Sequence, residues 1–317
     1  MTALFDKWTI QIKNAIELEW IPQDCVDSIS CVRFGIDQVA FGSSRMNAII
    51  HSKLSQPNAQ RFSLPQNGSH DSIIDLQWSP VSLNLLLVVS EKQLTIIDTD
   101  TNSLITQIPS PNSSVPFLNA FFLLNGGIIA LLEQNAVAFY SENYERADLV
   151  SVKGKCTCAA IDGNVFYIGQ YRHMRVFDIN EFKLEKRAKF IVHPKEVQRI
   201  QILSNLILIS AEGGLIAWTK DTYIPLFRVK ADKHTFIVDD RGELAVNAVK
   251  GKTVAMVRVQ RGKAREMSQI IPTKSSTESL ISADWYQIND NESYCAIAFE
   301  NSDEFCLVNV VKVTRHD

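Results

Sequence analysis

At 317 residues with 46% apolar and 21% charged side chains, the chain is long enough to bury a large core and too apolar to remain disordered. A formal net charge of -3 excludes a global pull toward nucleic acid or an anionic membrane, although local basic stretches such as Arg261 to Arg265 stay available to an acidic partner. Six cysteines are too sparse for a disulfide framework, and Cys31, Cys295 and Cys306 sit inside apolar strand-like runs, so reduced thiols are expected.

The N-terminal residues include Asp6, Glu17 and Glu19 and lack a continuous apolar stretch before small residues. This predicts no secretory leader and a cytoplasmic or nuclear location. Trp8 to Lys13 alternates apolar and polar residues as a strand does. Leu4, Trp8, Ile12 and Ala15 also recur at helical spacing, so a helix from Thr2 through Trp20 is the competing reading. The strand is the favoured expectation.

From Asp27 onward, short runs of Val, Ile, Leu and Phe recur between Gly, Asn, Asp, Ser and Pro, and no long stretch keeps a helical apolar period. The runs group into units of about 38 to 45 residues, each with room for four short strands, which is the period of propeller blades. The first unit places strands near Ile29 to Phe34, Val39 to Ser43, Ala48 to Ser52 and Arg61 to Leu64. The second has Ile73 to Trp78, Leu85 to Ser90, Leu94 to Asp98 and Leu104 to Ile108, closed by the polar stretch Pro109 to Pro116.

In the third unit, Leu118 to Leu124 and Ile128 to Leu132 precede Ala136 to Tyr140 and Ala147 to Val150. The apolar run Ala120 to Leu132 is broken by Asn125, Gly126 and Gly127 and falls short of the roughly 18 residues needed to span lipid, so it reads as a hairpin. The fourth unit offers Cys156 to Ile161, Val165 to Gly169, Met174 to Phe177 and Leu184 to Phe190. The fifth offers Val197 to Leu203, Leu206 to Ser210, Leu215 to Trp218 and Ile224 to Val229. The sixth offers Thr235 to Val238, Leu244 to Ala248, Val254 to Val259 and Glu266 to Ile270.

The seventh supplies only Leu280 to Tyr286, Tyr294 to Phe299 and Phe305 to Val310. Trp8 to Lys13 is expected to complete it as an outer strand. The expectation is an all-β chain, one seven-bladed propeller domain over residues 1–317, closed by an N-terminal strand.

The fifth unit carries His193 before its first strand, Ser210 at the end of its second, Glu212 in the next turn and Trp218 in its third. This arrangement resembles a WD-repeat blade. The resemblance implies a buried hydrogen-bonded relay across the blade, with Glu212 standing where the family usually has Asp. The second unit offers His70 and Ser90 with Ile97-Asp98 in place of Trp-Asp, and the fourth offers Phe177-Asp178. No unit has the complete pattern, so the chain is similar to a degenerate WD-repeat propeller.

Two passages, Asp27 to Phe34 and Asp162 to Asn180 with Ala211-Glu212-Gly213-Gly214, look like the WD-repeat propellers of the mitotic-checkpoint and mRNA-export group. That resemblance implies binding of short helical or extended peptide motifs on nuclear-pore and checkpoint partners. The chain reads Ser43-Ser44-Arg45-Met46 where the group has Trp-Asp, and Gly214 where it often has Arg. The architecture and the binding role are therefore implied, and the peptide specificity is not.

Chemical motifs are thin. Gly251-Lys252-Thr253 lacks the earlier Gly of a phosphate-binding loop, Val246 standing there, and Asp239-Asp240-Arg241-Gly242 suits a tight turn. Cys156 and Cys158 are expected on one strand face, with no second Cys/His pair at ligand spacing. No enzyme activity, metal or cofactor is expected. Tyr171, Arg172 and His173 occupy a predicted turn between the second and third strands of the fourth unit, where they can anchor a partner on one rim, a solvated loop being the competing reading.

Equivalent turns contribute Arg45 and Met46, Glu91 and Lys92, Gln134 and Asn135, Lys250 and Lys252, and Asp303 and Glu304. The mixed charge suits a peptide or protein surface better than a phosphate backbone. The expected function is a non-catalytic scaffold for a peptide motif or partner subunit in a checkpoint, nuclear-pore or RNA-processing complex. The alternatives are a propeller enzyme or small-ligand lectin, and an RNA-binding propeller using Arg172, Lys250 and Lys252.

Overall fold

A computed structural model describes residues 2–5, 8–12, 29–43, 48–53, 60–65, 72–212, 214–229, 236–237, 244–249, 253–260, 263–269, 279–289, 291–300 and 306–315. Among these residues there is no helix, and the strands form the antiparallel sheets of a β-propeller. Two compact units emerge, Met1–His70 with Val229–Asp317, and Asp71–Arg228.

The first unit begins with β1 (Thr2–Phe5) and β2 (Trp8–Ile12). The helical reading of this segment is thereby corrected over the described residues: β1 and β2 pair with each other in antiparallel register. Next come β3 (Ile29–Gly35), β4 (Gln38–Ser43), β5 (Ala48–Lys53) and β6 (Gln60–Ser63), one four-stranded sheet in sequential order.

The second unit holds four sheets, each a sequential meander. They are β7 (Ile73–Trp78), β8 (Leu85–Ser90), β9 (Gln93–Asp98) and β10 (Ser103–Pro109); β11 (Phe117–Phe122), β12 (Ile128–Leu132), β13 (Ala136–Tyr140) and β14 (Arg146–Ser151); β15 (Cys158–Asp162), β16 (Val165–Gln170), β17 (His173–Asn180) and β18 (Lys183–Ile191); and β19 (Val197–Ile202), β20 (Leu206–Ala211), β21 (Gly214–Thr219) and β22 (Pro225–Val229). In each sheet the second strand is the most completely buried, and β12 and β16 are apolar on both faces because a sheet of this unit packs on either side. The outer strands β10, β14 and β18 are mostly exposed.

Three core clusters fill the spaces between consecutive sheets. Leu87, Ile96, Phe117, Ala130 and Tyr140 pack between the first and second sheets of this unit. Phe121, Phe139, Phe166 and Phe177 pack between the second and third. Tyr167, Val176, Ile200 and Ile209 pack between the third and fourth.

Two irregularities repeat. A register shift near the start of the first strand recurs between Ile73 and Asp75, Phe117 and Asn119, and Val197 and Arg199. A second recurs in the pairing of third and fourth strands, between Leu104 and Thr106, Phe139 and Tyr140, and Val176 and Phe177. Each such bulge adds local twist, as strongly twisted blades require. Gly169 in β16 marks a third constraint: a Cβ there would stand 2.6 Å from Cys158 Sγ and 3.0 Å from Val197 Cγ1.

The chain returns to the first unit with β23 (Phe236–Ile237), β24 (Leu244–Val249), β25 (Thr253–Gln260) and β26 (Lys263–Gln269), another four-stranded sheet. It finishes with β27 (Ser279–Asn289), β28 (Glu292–Glu300) and β29 (Cys306–Arg315). β29 runs past the expected end at Val310, and its extension is matched by β2, with Trp8 opposite Arg315 and Ile12 opposite Val311. The resulting sheet has five strands in the order β1-β2-β29-β28-β27. β27 and β3 are tied through side chains: Ser282 Oγ accepts a hydrogen bond from Val32 N at 3.4 Å, and Asp284 Oδ2 accepts one from Phe34 N at 2.7 Å.

Candidate functional site

Tyr171 and Arg172 form the turn between β16 and β17. Tyr171 has φ 44°, a left-handed backbone that an aromatic residue rarely adopts and that costs on the order of 1 kcal/mol. Two hydrogen bonds hold it there: Val197 N donates to the Tyr171 carbonyl at 2.6 Å, and Val192 N donates to the Arg172 carbonyl at 2.9 Å. Val192 lies just beyond β18 and Val197 opens β19, so the turn is clamped by the link to the next sheet and by that sheet's first residue. Tyr171 is 57% exposed, and the Arg172 guanidinium carbon lies 5.5 Å from its ring centroid, a cation-π distance. An aromatic and a cation are thus presented together from a fixed base.

Corresponding turns are clamped in the same way. Ser110 N donates to the Lys92 carbonyl at 2.8 Å, and Val152 N donates to the Asn135 carbonyl at 2.6 Å. Glu91, Lys92, Glu133 and Gln134 are exposed. His173 opens β17, half-buried; partial burial, then the Lys189 and Arg175 charges, hold its imidazole below the usual histidine range.

Beside this turn a cavity of about 280 Å³ is lined by Leu118, Glu133, Lys155, Cys156, Glu196 and Val197, among others. Lys155 Nζ reaches Glu196 Oε1 at 3.8 Å. The buried Gln170 amide donates to the carbonyls of Lys153 at 3.0 Å and Gly154 at 2.9 Å. Burial raises the Cys156 thiol and pushes Cys158 up to about 12, so both stay protonated and unreactive at neutral pH. Their expected shared face is corrected: Cys156 packs in the cluster shared with sheet β11–β14 and Cys158 in the one shared with β19–β22. Cys156 precedes β15, where strand alternation does not apply. Cys156, Cys158 and Cys295 are free, buried thiols, and Cys31 is buried as well. Among the described residues, no three His, Cys, Asp or Glu side chains group so as to hold a metal.

The fifth-unit relay is not formed. His193 is buried, its Nδ1 accepts from Lys195 N at 3.1 Å, and its Nε2 has no partner. Trp218 Nε1 is also buried without one. Ser210 is buried at the end of β20. Glu212 points to solvent and meets Lys195 at 3.9 Å; the longer side chain standing in place of Asp is drawn outward to a surface cation. Ser90 is buried and its hydroxyl donates to the Gln93 carbonyl at 2.9 Å, a turn-local bond. Arg45, Met46, His70, Lys250 and Lys252 lie outside the described residues.

No protein-family model matches the chain, and no curated protein matches it. Sequence reasoning missed the Lys155–Glu196 pair and the cations of β17 and β18. The signal for the latter was present in Lys183 to Lys189, where four cations and one acid fall within a single strand.

Proposed function

We propose that the chain is a non-catalytic scaffold of degenerate WD-repeat type, holding a peptide motif or a partner subunit on the end of its sheets that carries Tyr171, Arg172 and His173. The supporting observation is the clamped Tyr171–Arg172 turn, in which a strained, exposed aromatic stacked with a guanidinium is fixed by backbone bonds to Val192 and Val197. Backbone strain retained at an exposed turn, with aromatic and arginine side chains outward, is the profile of a binding anchor. Lys92 lies in the corresponding turn of sheet β7–β10 and belongs to the same surface in this reading. A nuclear or cytoplasmic complex of the checkpoint, nuclear-pore or RNA-processing kind fits the sequence resemblance.

In the same reading the five-stranded sheet is a seventh blade, and β2 latches it by pairing with β29. The antiparallel register from Trp8 with Arg315 to Ile12 with Val311 supports that closure.

The test is affinity purification of the tagged chain from its native cells, wild type against Arg172→Glu, read by mass spectrometry. A stoichiometric protein lost from the variant, at unchanged melting temperature, is the expected result. Equal recovery of the same partner with both would reject the anchor, and absence of any partner from the wild type would reject the scaffold.

A further inference from the structure

The outer half of sheet β15–β18 carries positive charges that neither the core nor the turn accounts for. The register of β17 and β18 sets Arg175 opposite Lys189 and Phe177 opposite Lys186, with a bulge between the two pairs. Because side chains alternate between faces, His173, Arg175 and Phe177 share one side with Lys186 and Lys189. That side faces sheet β11–β14, since Phe177 and Ile179 pack with Phe121 and Phe139. Asp178 and Glu185 oppose each other on the other face, where Asp178 meets Arg187 at 3.4 Å.

Like charges directly opposite one another are unfavourable in a sheet. Arg175 Nε is moreover buried without an acceptor. Among the described residues, Arg172, Arg175, Lys186 and Lys189 form no ion pair with a carboxylate, in contrast to Lys155, Arg187, Lys195 and Lys220. Lysines on an edge strand also discourage edge-to-edge aggregation. Side chains pointing into water suffice for that, and it leaves unexplained an arginine with a buried Nε set against a lysine on the next strand.

We propose that the outer edge of β18 takes an acidic, extended segment of a partner protein as an added strand, with carboxylates at alternate positions beside Lys186 and Lys189. The proposal rests on the scaffold reading and names the chemistry of its partner. β18 offers nine residues of backbone and pairs with β17 alone among the described strands. Strand addition draws affinity from main-chain bonds and specificity from alternate side chains. Those side chains repeat at about 7 Å on one face, commensurate with Lys186 and Lys189, which the bulge sets opposite Phe177 and Arg175, two residues apart on β17. Outer-edge addition already occurs within this chain, where β1 lies outside β2 in the five-stranded sheet. A phosphate backbone fits less well, because its affinity needs several cooperating cations, and here Glu181, Glu185 and Glu196 interrupt the charge.

The full-length chain is titrated against a fluorescent octapeptide with Glu at alternate positions, an octapeptide of the same composition with its Glu residues contiguous, and a uridine octanucleotide. The alternating peptide is expected to bind about tenfold tighter than the contiguous one, and Lys186→Glu with Lys189→Glu to weaken it by at least about tenfold at unchanged melting temperature. Should that variant fold poorly, Lys186→Gln with Lys189→Gln carries the same test, with a loss of at least about threefold expected. Equal binding of the two peptides, undiminished binding by the folded lysine variants, or tighter binding of the oligonucleotide would overturn the proposal. A native partner recovered equally with wild type and the lysine variant would overturn edge addition while leaving the scaffold intact; if the wild type recovers no partner, both readings fall.

Discussion

Sheet β15–β18 has two halves built on different rules. Its inner strands β15 and β16 are almost wholly buried, with Ala159, Phe166 and Ile168 on one side and Ala160 and Tyr167 on the other. Its outer strand β18 exposes Lys183, Glu185, Lys186, Arg187 and Lys189. The difference separates two duties within one sheet: the inner half sets the position of the turn at Tyr171, and the outer half can change its charges without disturbing the core. Variants in the two halves should therefore separate folding from binding.

The largest effect belongs to the inner half. Phe166 is fully buried and meets Phe121 edge-on at a centroid distance of 6.2 Å. Phe166→Ala should cost about 3–5 kcal/mol, the range for a large aromatic truncated in a packed core, measured by urea unfolding. A loss below about 1 kcal/mol would show that the space between the two sheets collapses freely, which would end the contrast. Gly169→Ala comes next, at about 1–3 kcal/mol, because the added methyl must displace Cys158 Sγ and Val197 Cγ1. Gly169→Ala combined with Cys158→Ala should recover part of that loss, which distinguishes the local clash from a general intolerance of β16.

The pH response sharpens the contrast from the link between β18 and β19. Burial, then the Arg228 charge, lowers the His193 pKa, and its Nδ1 is committed as an acceptor to Lys195 N. The unfolded chain therefore takes up the proton first. This contribution is intact above the ordinary histidine value of about 6.5, declines as pH falls through it, and levels off below the folded-state value. Wild type minus His193→Gln melting temperatures, followed from neutral to mildly acidic pH, should show that decline; a constant difference would mean that the imidazole never resists its charge.

Strand positions were legible because the apolar runs are separated by residues that turn the chain, such as Asn125-Gly126-Gly127 between β11 and β12. The four-strand period was equally plain. The helix-or-strand ambiguity at Trp8 was not resolvable locally, because Leu4, Trp8, Ile12 and Ala15 satisfy a helical period while the pairing partner of β2 lies at the far end of the sequence. The relay failed for a different reason: His193, Ser210, Glu212 and Trp218 have suitable spacing, but hydrogen bonding depends on where a longer Glu side chain finds its nearest cation. The β17–β18 charge set escaped notice because the bulge between Val176 and Phe177 decides which residues oppose one another. Cross-strand register is a tertiary property that a single run of residues does not carry.

The smallest expected change in stability lies at the turn where the two halves meet. Tyr171 holds φ 44°, so Tyr171→Gly relieves left-handed strain of about 1 kcal/mol and gives back a comparable amount in backbone entropy, about 0.5–1 kcal/mol. The net shift should fall within about 0.5 kcal/mol of zero, read by urea unfolding. Binding should respond far more, because the variant removes the ring over which Arg172 lies. Partner capture lost at near-constant stability would show that the strain is kept for recognition. A variant that is more stable and binds as well would make Tyr171 an ordinary turn residue, and the anchor would then have to be sought on β18 alone.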